Sequence, residues 1–353
     1  MHIGLPREIK DGEFRVALTP AGVRELVGAG HHVVIGSNLG LGVGFSDLDY
    51  EKAGAIPGNP WDCELVVKVK ELQEPEHRLP RKGQTVFSFQ HFGPEPALLD
   101  AALASGATFI AFETVGQADG SLPILAPMSA IAGRLAVQVG AWCLQKHNGG
   151  SGVLLPGIAG VPPGNVLILG AGNVGSNALA VAHGIGASVT LFAKSDRRIS
   201  FLRKEFPNVK FKIGTHDLPD AISSADLVIG GVLTPGQMSP KLITRAMLRT
   251  MRPGSALVDV GIDQGGIAET SRPSSHSDPI YIEEGVVHYC VPNMPAAAAR
   301  TASLALEKAV LPFVFEICRN FFSDSLKTGI QIENNKITHE FLARDTGRAF
   351  HPL

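Results

Sequence analysis

Short runs of hydrophobic residues recur along the chain and alternate with longer segments in which hydrophobic positions follow a helical period. The short runs are rich in aliphatic residues and predict buried strands, while segments such as Pro20–Ala29 and Pro96–Ser105 predict helices. This alternation predicts parallel sheets covered by helices on both faces. The predicted strands are His2–Leu5, His32–Ile35, Leu65–Val69, Val86–Phe89, Thr108–Ala111, Asn165–Leu169, Ser188–Phe192, Leu227–Ile229 and Ala256–Gly261.

Two long amphipathic segments, Ala126–Lys146 and Thr301–Phe321, flank the central α/β block and each predicts one long helix. Their positions suggest that the central block is inserted into a domain made from both ends of the chain. We therefore expect one domain of residues 1–128 plus 307–353 and a second of residues 129–306. The predicted fold class is α/β, with two Rossmann-like doubly wound parallel-sheet domains joined by long helices and a cleft between them.

Composition excludes several classes of protein. The chain has 353 residues, of which 44% are hydrophobic and 18% charged, so it can bury the cores of two domains. The formal net charge is −2 and no long basic run occurs, which makes nucleic acid an unexpected partner. Residues 151–193 contain no charged side chain, but glycine and proline interrupt them throughout. They predict two buried parallel strands with a helix between them rather than a membrane span.

Cysteine and histidine spacing predicts neither a disulfide framework nor a metal site. The four cysteines are scattered without a CxxC pair, which is typical of a reducing compartment, and the N-terminus lacks the features of a signal peptide. We therefore expect a cytoplasmic protein. The twelve histidines show no metal-ligand spacing, so no metal is expected.

One motif indicates a dinucleotide. Gly170-Ala-Gly172-Asn-Val-Gly175 lies between a predicted strand and a predicted helix of small residues. In this pattern the first glycine allows a tight turn, the second lets the backbone approach a pyrophosphate, and the third allows close helix–strand packing. The helix N-terminus would then face the phosphates. We expect cofactor contacts from Gly170, Gly172, Asn173, Val174 and Gly175.

The end of the next strand bears on the choice between NAD and NADP. In NAD-binding proteins of this pattern an acidic residue holds the ribose 2′-hydroxyl there, but this chain has Ala193. Without a carboxylate a 2′-phosphate is not repelled, so we expect NADP to be favoured over NAD, with Ala193 beside it. In the alternative, Asp196 reaches back to the ribose and the basic residues are a solvated turn. We expect Lys194, Ser195 and Arg198 to contact the cofactor, and Lys194, Ser195 or Arg197 could hold the 2′-phosphate.

Four ionisable residues follow predicted strands, where parallel α/β sheets gather their ligands. Arg15 and Lys70 would fix a substrate carboxylate, His91 would polarise or protonate a carbonyl oxygen, and Asp263 would manage water or ammonia. This set suits a small anionic keto or amino acid.

Each residue also has an ordinary structural interpretation. Arg15 can be a surface residue paired with Glu13, and Lys70 a solvated strand end for which Lys68 competes. His91 and Asp263 can both be capping residues.

The residues resemble those of the alanine dehydrogenase and pyridine nucleotide transhydrogenase α-subunit superfamily, in order, over nearly the whole chain. Within it, the Asp of Ile262-Asp263-Gln264 and His91 point to the alanine dehydrogenase branch, because transhydrogenase subunits carry Glu at the position of Asp263. The motifs that carry the resemblance are Glu13-Phe-Arg15-Val-Ala-Leu-Thr-Pro, Val67-Lys-Val-Lys70-Glu, Phe87-Ser-Phe-Gln-His91, Leu125-Ala-Pro-Met128-Ser129, Ala132-Gly-Arg, the glycine motif, Asp259-Val-Gly-Ile-Asp263-Gln-Gly-Gly and Pro292-Asn293-Met294-Pro295.

The resemblance implies reversible oxidative deamination of L-alanine to pyruvate and ammonia with a nicotinamide cofactor, NADP or NAD. It implies that His91 and Asp263 are catalytic and that the substrate contacts are Arg15, Lys70, Met128 and Asn293. It also implies a homo-oligomer, commonly a hexamer. The further implied cofactor contacts are Ser129, Leu233 and Met294.

Departures from the family pattern leave other functions open. Besides Ala193, Ala130 replaces a usual Glu, and Gln90 and Phe92 next to His91 are unusual. A reshaped pocket would suit an opine-like reductive aminase that joins an amino acid to a keto acid. A third possibility is a catalytically silent, transhydrogenase-like nucleotide-binding module.

Overall fold

The computed structural model describes residues 1–232 and 238–353, and these form two units. Unit 1 comprises Met1–Met128 and Ala298–Leu353, and unit 2 comprises Ser129–Ala297. The predicted division at 306/307 would cut the helix Ala299–Cys318, which lies whole in unit 1. The first half of this helix is hydrogen-bonded to the N-terminal part of unit 1. Ser303 Oγ accepts from Val16 N at 3.0 Å, and Glu307 Oε2 accepts from Gly22 N at 3.1 Å.

The elements alternate between strands and helices for most of the described chain. The strands are β1 His2–Leu5, β2 His32–Ile35, β3 Ile56–Pro57, β4 Leu65–Val67, β5 Thr85–Ser88, β6 Thr108–Ala111, β7 Asn165–Leu169, β8 Ser188–Ala193, β9 Lys210–Ile213, β10 Leu227–Gly230, β11 Ala256–Asp259, β12 Ile280–Glu283, β13 Val286–Tyr289, β14 Ile330–Glu333 and β15 Lys336–Ile337. The α-helices are α1 Pro20–Gly28, α2 Asp47–Lys52, α3 Pro96–Ser105, α4 Leu125–Cys143, α5 Asn173–Gly184, α6 Asp196–Glu205, α7 Leu218–Ser223, α8 Arg245–Leu248, α9 Ala299–Cys318, α10 Asp324–Thr328 and α11 Glu340–Thr346. Short 3-10 helices lie at Leu41–Val43, Pro60–Asp62, Glu74–Glu76, Lys146–Asn148, Val260–Gln264 and Met294–Ala298.

The sheet of unit 1 has the order β15-β14-β6-β5-β4-β1-β2-β3. The six strands β1 to β6 are parallel to one another. Strand β14 pairs antiparallel with β6 and with β15. The order reverses between β1 and β4, so the loops after these two strands diverge to opposite faces. That switch point is where a parallel sheet offers a binding crevice.

The sheet of unit 2 has the order β12-β13-β11-β10-β7-β8-β9, and only its edge strand β12 runs antiparallel to its neighbour among the described pairs. The order reverses between β7 and β10. Strand β7 buries both of its faces: Val166 and Ile168 belong to one core cluster, and Leu167 and Leu169 to another. Continuous hydrophobic runs in the sequence follow from this double burial. The prediction of two doubly wound α/β domains is confirmed.

Three strands end earlier than predicted. Strand β4 ends at Val67 rather than at Val69, β5 ends at Ser88 rather than at Phe89, and β11 ends at Asp259 rather than at Gly261. After β11 the carboxylate of Asp259 accepts from Gly261 N at 3.1 Å, which turns the backbone into a 3-10 helix. Among the described helices, none is long and apolar enough to cross a membrane.

Candidate functional site

The loop between β1 and α1 brings a buried arginine to the carboxyl edge of the unit 1 sheet. Arg15 is only 2% exposed. Its Nε and Nη2 donate to Glu13 Oε1 and Oε2 at 2.7 and 2.5 Å, and its Nη1 contacts Met128 Sδ at 3.3 Å. The partner named in the structural alternative, Glu13, is therefore present, but the pair is buried rather than on the surface. A two-point carboxylate contact fixes the plane of the guanidinium.

Two lysines follow β4 and have different surroundings. Lys68 is fully buried, with its ammonium 2.7 Å from Glu76 Oε2 and 3.5 Å from Glu8 Oε2. Lys70 Nζ lies 3.1 Å from Glu71 Oε2 and 6.0 Å from the centre of the Phe89 ring. Lys68 thus belongs to an internal ion cluster, whereas Lys70, three residues past β4, pairs with Glu71 beside Phe89.

Glu71 links Lys70 to the loop that carries Arg15. Its other carboxylate oxygen accepts from Lys10 Nζ. Burial alone would raise the pKa of Glu71, but Lys70, His91 and Lys10 outweigh that effect and lower the pKa to about 2. Glu71 is therefore ionised at neutral pH, and it restrains the ammonium group of Lys70.

His91 follows β5 in an uncommon backbone conformation, with φ of 47°. Its ring stacks on Phe89, with centres 6.0 Å apart and planes 10° apart. Part of the residue is exposed, yet the protein atoms around the ring displace enough water to lower its pKa to about 3, with Lys70 as the second cause. Glu71, Lys10 and Arg15 also act on this pKa, so the predicted residues Arg15, Lys70 and His91 lie within one electrostatic neighbourhood.

Glu113 was missed by the sequence analysis. It lies two residues after β6, and its carboxylate accepts from His91 N at 2.9 Å and from Gln90 N at 3.1 Å. Burial raises its pKa, although these backbone donors oppose the rise. Its position just past a parallel strand was the available signal, and the same rule selected Lys70 and His91. Lys10 and Glu71 were missed as well.

A depression of about 590 Å³ opens beside the loop that carries Arg15. Positive and negative side chains alternate around it, among them Lys10, Glu13 and Arg15. Its lining comprises residues 7–15, 38, 39, 41 and 42, and within the described chain it does not include Lys70 or His91. The depression alone therefore does not unite the predicted site residues.

In unit 2 the glycine motif connects β7 to α5. Gly170 has φ of 105°, and a Cβ at Gly175 would lie 1.8 Å from the carbonyl oxygen of Gly170. Both positions therefore require glycine for the fold itself. Helix α5 begins at Asn173, and Val174 in its first turn packs against α4, where a Cβ at Gly133 would lie 2.1 Å from Val174 O.

Gly172 is not required by packing in the described chain, so its surroundings test whether a dinucleotide fits this loop. It is the N-cap of α5 with φ of −77°, and no side chain caps the helix there. A Cβ at Gly172 would meet only Arg198 Nη1, at 3.8 Å. No packing requirement within the described residues explains glycine here. The backbone is open to a ligand at a helix N-terminus, which fits a pyrophosphate.

The end of β8 carries the residues expected around the adenosine ribose. Ala193 is buried at the strand end, whereas Lys194, Ser195 and Arg198 are exposed. Arg198 Nη1 donates to Ala171 O at 3.4 Å, which places its guanidinium over the glycine loop. Asp196 pairs with Arg203 Nη1 at 3.1 Å on its own helix.

The remaining predicted residues of unit 2 lie at turns and on helices. Asp263 is exposed within the 3-10 helix after β11, and the cap of that helix is Asp259. Asn293 has φ of 56°, and Met294 is buried. Ser129 is partly exposed on α4, and Leu233 lies outside the described residues.

Asp259 holds the turn that carries Asp263. Its carboxylate accepts from Ile267 N at 2.7 Å and from Ser271 Oγ at 2.5 Å. Burial raises the pKa of Asp259, although these donors lower it. This buried acid fixes the backbone, and the neighbouring Asp263 presents an exposed carboxylate.

Comparison with known proteins covers both units. Residues 4–132 match the model of the alanine dehydrogenase/PNT N-terminal domain, and residues 136–340 match that of the C-terminal domain. Alanine dehydrogenase of Halomonas elongata is 48% identical over 360 residues, covering 98% of this chain and 97% of its own. Alanine dehydrogenase of Bacillus subtilis is 43% identical over 365 residues, covering 100% of this chain and 96% of its own.

Solved structures agree with these matches. An L-alanine dehydrogenase structure superposes with a TM-score of 0.93 at 42% identity, covering 98% of this chain and 99% of its own. A transhydrogenase from Sinorhizobium meliloti superposes with a TM-score of 0.82 at 26% identity, covering 96% of this chain and 99% of its own.

Proposed function

The chain belongs to the alanine dehydrogenase/PNT family, and we propose that it is an alanine dehydrogenase that interconverts L-alanine and pyruvate plus ammonia. The observation that carries this proposal is the grouping of Arg15, Lys70 and His91 at the carboxyl edge of the unit 1 sheet. The grouping provides cations for a carboxylate beside an imidazole.

Arg15 and Lys70 bind the carboxylate of the substrate in this proposal. Glu13 already sets the plane of the Arg15 guanidinium, and Met128 packs against it. A substrate carboxylate competes with Glu71 for Lys70, whose ammonium lies 3.1 Å from that side chain. Asn293, on unit 2, is the remaining proposed substrate contact.

His91 polarises the substrate oxygen as a neutral imidazole. Its pKa of about 3 means that the ring is uncharged at neutral pH and holds one N–H donor. Of the two roles open from the sequence, polarising the carbonyl is therefore favoured over protonating it in the free enzyme. The stacking on Phe89 fixes the plane in which that donor points.

Asp263 activates water in the deamination direction. Its exposed carboxylate is held on the turn that Asp259 fixes. A bound nicotinamide would supply the hydride acceptor for Cα of alanine. Asp263 would take a proton from the water that adds to the iminium carbon and return it to the carbinolamine nitrogen. Ammonia would then leave as the hydroxyl gives up its proton and pyruvate forms. The amine must be neutral for hydride loss, so oxidation accelerates towards alkaline pH.

The cofactor sits on the glycine motif of unit 2, and NADP is preferred. Gly172 offers open backbone to the pyrophosphate, and Asn173 and Val174 form the first turn of the helix that faces it. Ala193 leaves out the carboxylate that would repel a 2′-phosphate, and Lys194, Ser195 and Arg198 supply exposed donors. The proposed contacts on the nicotinamide side are Ser129, Leu233 and Met294.

A transhydrogenase-like, catalytically silent module is the second candidate, and its support is the 0.82 TM-score against a transhydrogenase. A third is an opine-like reductive aminase, for which Gln90 and Phe92 next to His91 are the supporting departures. In a silent module His91, Lys70 and Arg15 would have no shared substrate.

One assay separates these candidates. Pyruvate is supplied with ammonium, with NADH and with NADPH at equal concentrations, and a parallel set replaces ammonium by an amino acid. We expect turnover that requires ammonium and is faster with NADPH. Turnover only with an amino acid as amine donor would favour the opine-like reaction, and none with any combination would favour the silent module.

The proposed assembly is a homo-oligomer, with a hexamer as the specific expectation from the family resemblance. Light scattering of the purified chain tests it. The proposed location is the cytoplasm, and the support for it is the scattered cysteine spacing without a CxxC pair.

A further inference from the structure

The turn after β5 holds His91 in a conformation that non-glycine side chains rarely adopt. Its φ of 47° lies in the left-handed region, where a Cβ costs free energy. Such a conformation persists only when its surroundings determine it. The contacts that hold this turn therefore matter for the position of the imidazole.

Glu113 supplies those contacts from the loop just past the neighbouring strand β6. Its Oε1 accepts from His91 N at 2.9 Å and from Gln90 N at 3.1 Å, and its Oε2 lies 3.2 Å from Gln90 N. One carboxylate thus satisfies two successive N–H groups that the sheet does not pair. Strands β5 and β6 are parallel neighbours, so the residues after both of them meet at the same edge.

The ring of His91 has a different set of partners. Phe89 stacks on it, and the charges that shift its pKa most after burial are those of Lys70, Glu71, Lys10 and Arg15. Glu113 therefore acts on the backbone of His91, whereas the other residues act on its imidazole.

We propose that Glu113 is a positioning residue that holds the Gln90–His91 turn and so places the imidazole for the reaction. This inference rests on the proposed function, because it takes His91 as a catalytic residue. A displacement of about 1 Å at a reacting group can lower a rate on the order of a hundredfold.

Hydrogen exchange tests the contact without any activity. We expect the amides of residues 90 and 91 to be protected in the wild-type chain and to exchange at least about tenfold faster in Glu113→Ala. Glu95→Ala is the matched control, since Glu95 is exposed and makes no side-chain cap on α3. Equal protection in Glu113→Ala and the wild type would overturn the proposal.

Kinetics then test the positioning role. We expect Glu113→Ala to lower kcat for alanine oxidation about tenfold to hundredfold, with KM for alanine changed less than kcat, because Glu113 hydrogen-bonds the backbone of Gln90 and His91 and acts on Lys70 only through a smaller charge interaction. Glu113→Gln keeps one acceptor oxygen and should fall between Glu113→Ala and the wild type, which guards against a variant that fails to fold. In a His91→Ala background, Glu113→Ala should cause no further loss.

Two kinetic outcomes would overturn the proposal. One is an unchanged kcat in Glu113→Ala, and the other is a full additional loss in the His91→Ala background. Failure of the wild-type chain to oxidise alanine would instead overturn the proposed function, and the exchange experiment would still decide whether Glu113 holds the turn.

Discussion

In unit 1 the carboxyl edge of the parallel strands carries charged side chains, whereas in unit 2 the corresponding edge carries glycines. Arg15, Lys70 and Glu71 are buried at the first edge and paired with one another or with neighbours. At the second edge Gly170, Gly172 and Gly175 follow β7, and there the backbone rather than a side chain is offered to a ligand. In the proposed function, the same order of six parallel strands thus offers two ways of binding an anion, one by side-chain cations and one by helix N–H groups.

The largest effect is expected at the carboxyl edge of the unit 1 sheet. His91→Ala should lower kcat for alanine oxidation by roughly 10² to 10⁴, because the polarising imidazole is lost. Cofactor affinity, measured by fluorescence titration, should stay within about twofold, since Gly172 and α5 belong to unit 2. Comparable turnover by the variant and the wild type would remove His91 from the mechanism.

Adding one methyl group at the glycine motif of unit 2 should lower the free energy of unfolding. Gly175→Ala places a Cβ 1.8 Å from Gly170 O, so we expect a loss of about 3 kcal/mol in the free energy of unfolding. The control is Gly184→Ala on the same helix, where nothing lies within 4 Å of the new Cβ and a gain of up to about 1 kcal/mol is expected. Denaturant unfolding measures both, and equal midpoints would show that the close packing at Gly175 is not required.

Gly172→Ala should separate binding from folding. Its φ of −77° suits alanine and its new Cβ meets only Arg198, so thermal stability should be unchanged. The methyl group would nevertheless stand where the pyrophosphate approaches, and we expect the cofactor Kd to rise about tenfold, equal to about 1.4 kcal/mol. An unaltered Kd, measured by calorimetry, would place the pyrophosphate elsewhere.

A smaller effect is expected on the preference between NADP and NAD, which we assign to the end of β8 in unit 2. Ala193→Asp should lower the ratio of kcat/KM for NADPH to that for NADH about tenfold, because the new carboxylate repels a 2′-phosphate. Ala193→Asn has nearly the same shape without the charge and is the control. If both variants shift the ratio equally, charge at position 193 does not set the preference.

A further difference is expected in the pH dependence of stability. The pKa of His91 is about 3 in the folded chain and about 6.5 when unfolded, so the neutral form is favoured by folding. Its contribution is complete above pH 6.5 and is lost as the pH falls towards 3, because the unfolded chain takes up the proton first. Between pH 6.5 and 4.5 the wild-type chain should therefore lose more stability than His91→Gln in denaturant titrations. Parallel losses in both would contradict the lowered pKa.

Most central strands were predictable because both of their faces are buried, and burial leaves a continuous hydrophobic run. Strand β7, with Val166 and Leu167 on opposite cores, is the clearest case. Edge strand β9, Lys210–Ile213, was missed because it is mostly exposed and half lysine. The observed strand ends differ from the predicted ones where a side chain such as Asp259 closes a turn.

The candidate site was predictable only in part. Lys70 and His91 follow buried strands, so the rule that ligands gather at carboxyl ends selects them. The role of Glu113 depends on the left-handed backbone conformation at His91, and no pattern in the sequence predicts that conformation. The sequence could not show that Arg15 is buried: the structural alternative paired it with Glu13 on the surface, whereas the pair lies inside unit 1.

The most direct measurement is the stoichiometry of alanine oxidation by the wild-type chain. Reduced cofactor, pyruvate and ammonia are quantified in the same reaction after a fixed turnover of L-alanine at alkaline pH. We expect one pyruvate and one ammonia for each reduced nicotinamide. Cofactor reduction without release of ammonia, or no reduction with either NAD or NADP, would contradict an alanine dehydrogenase.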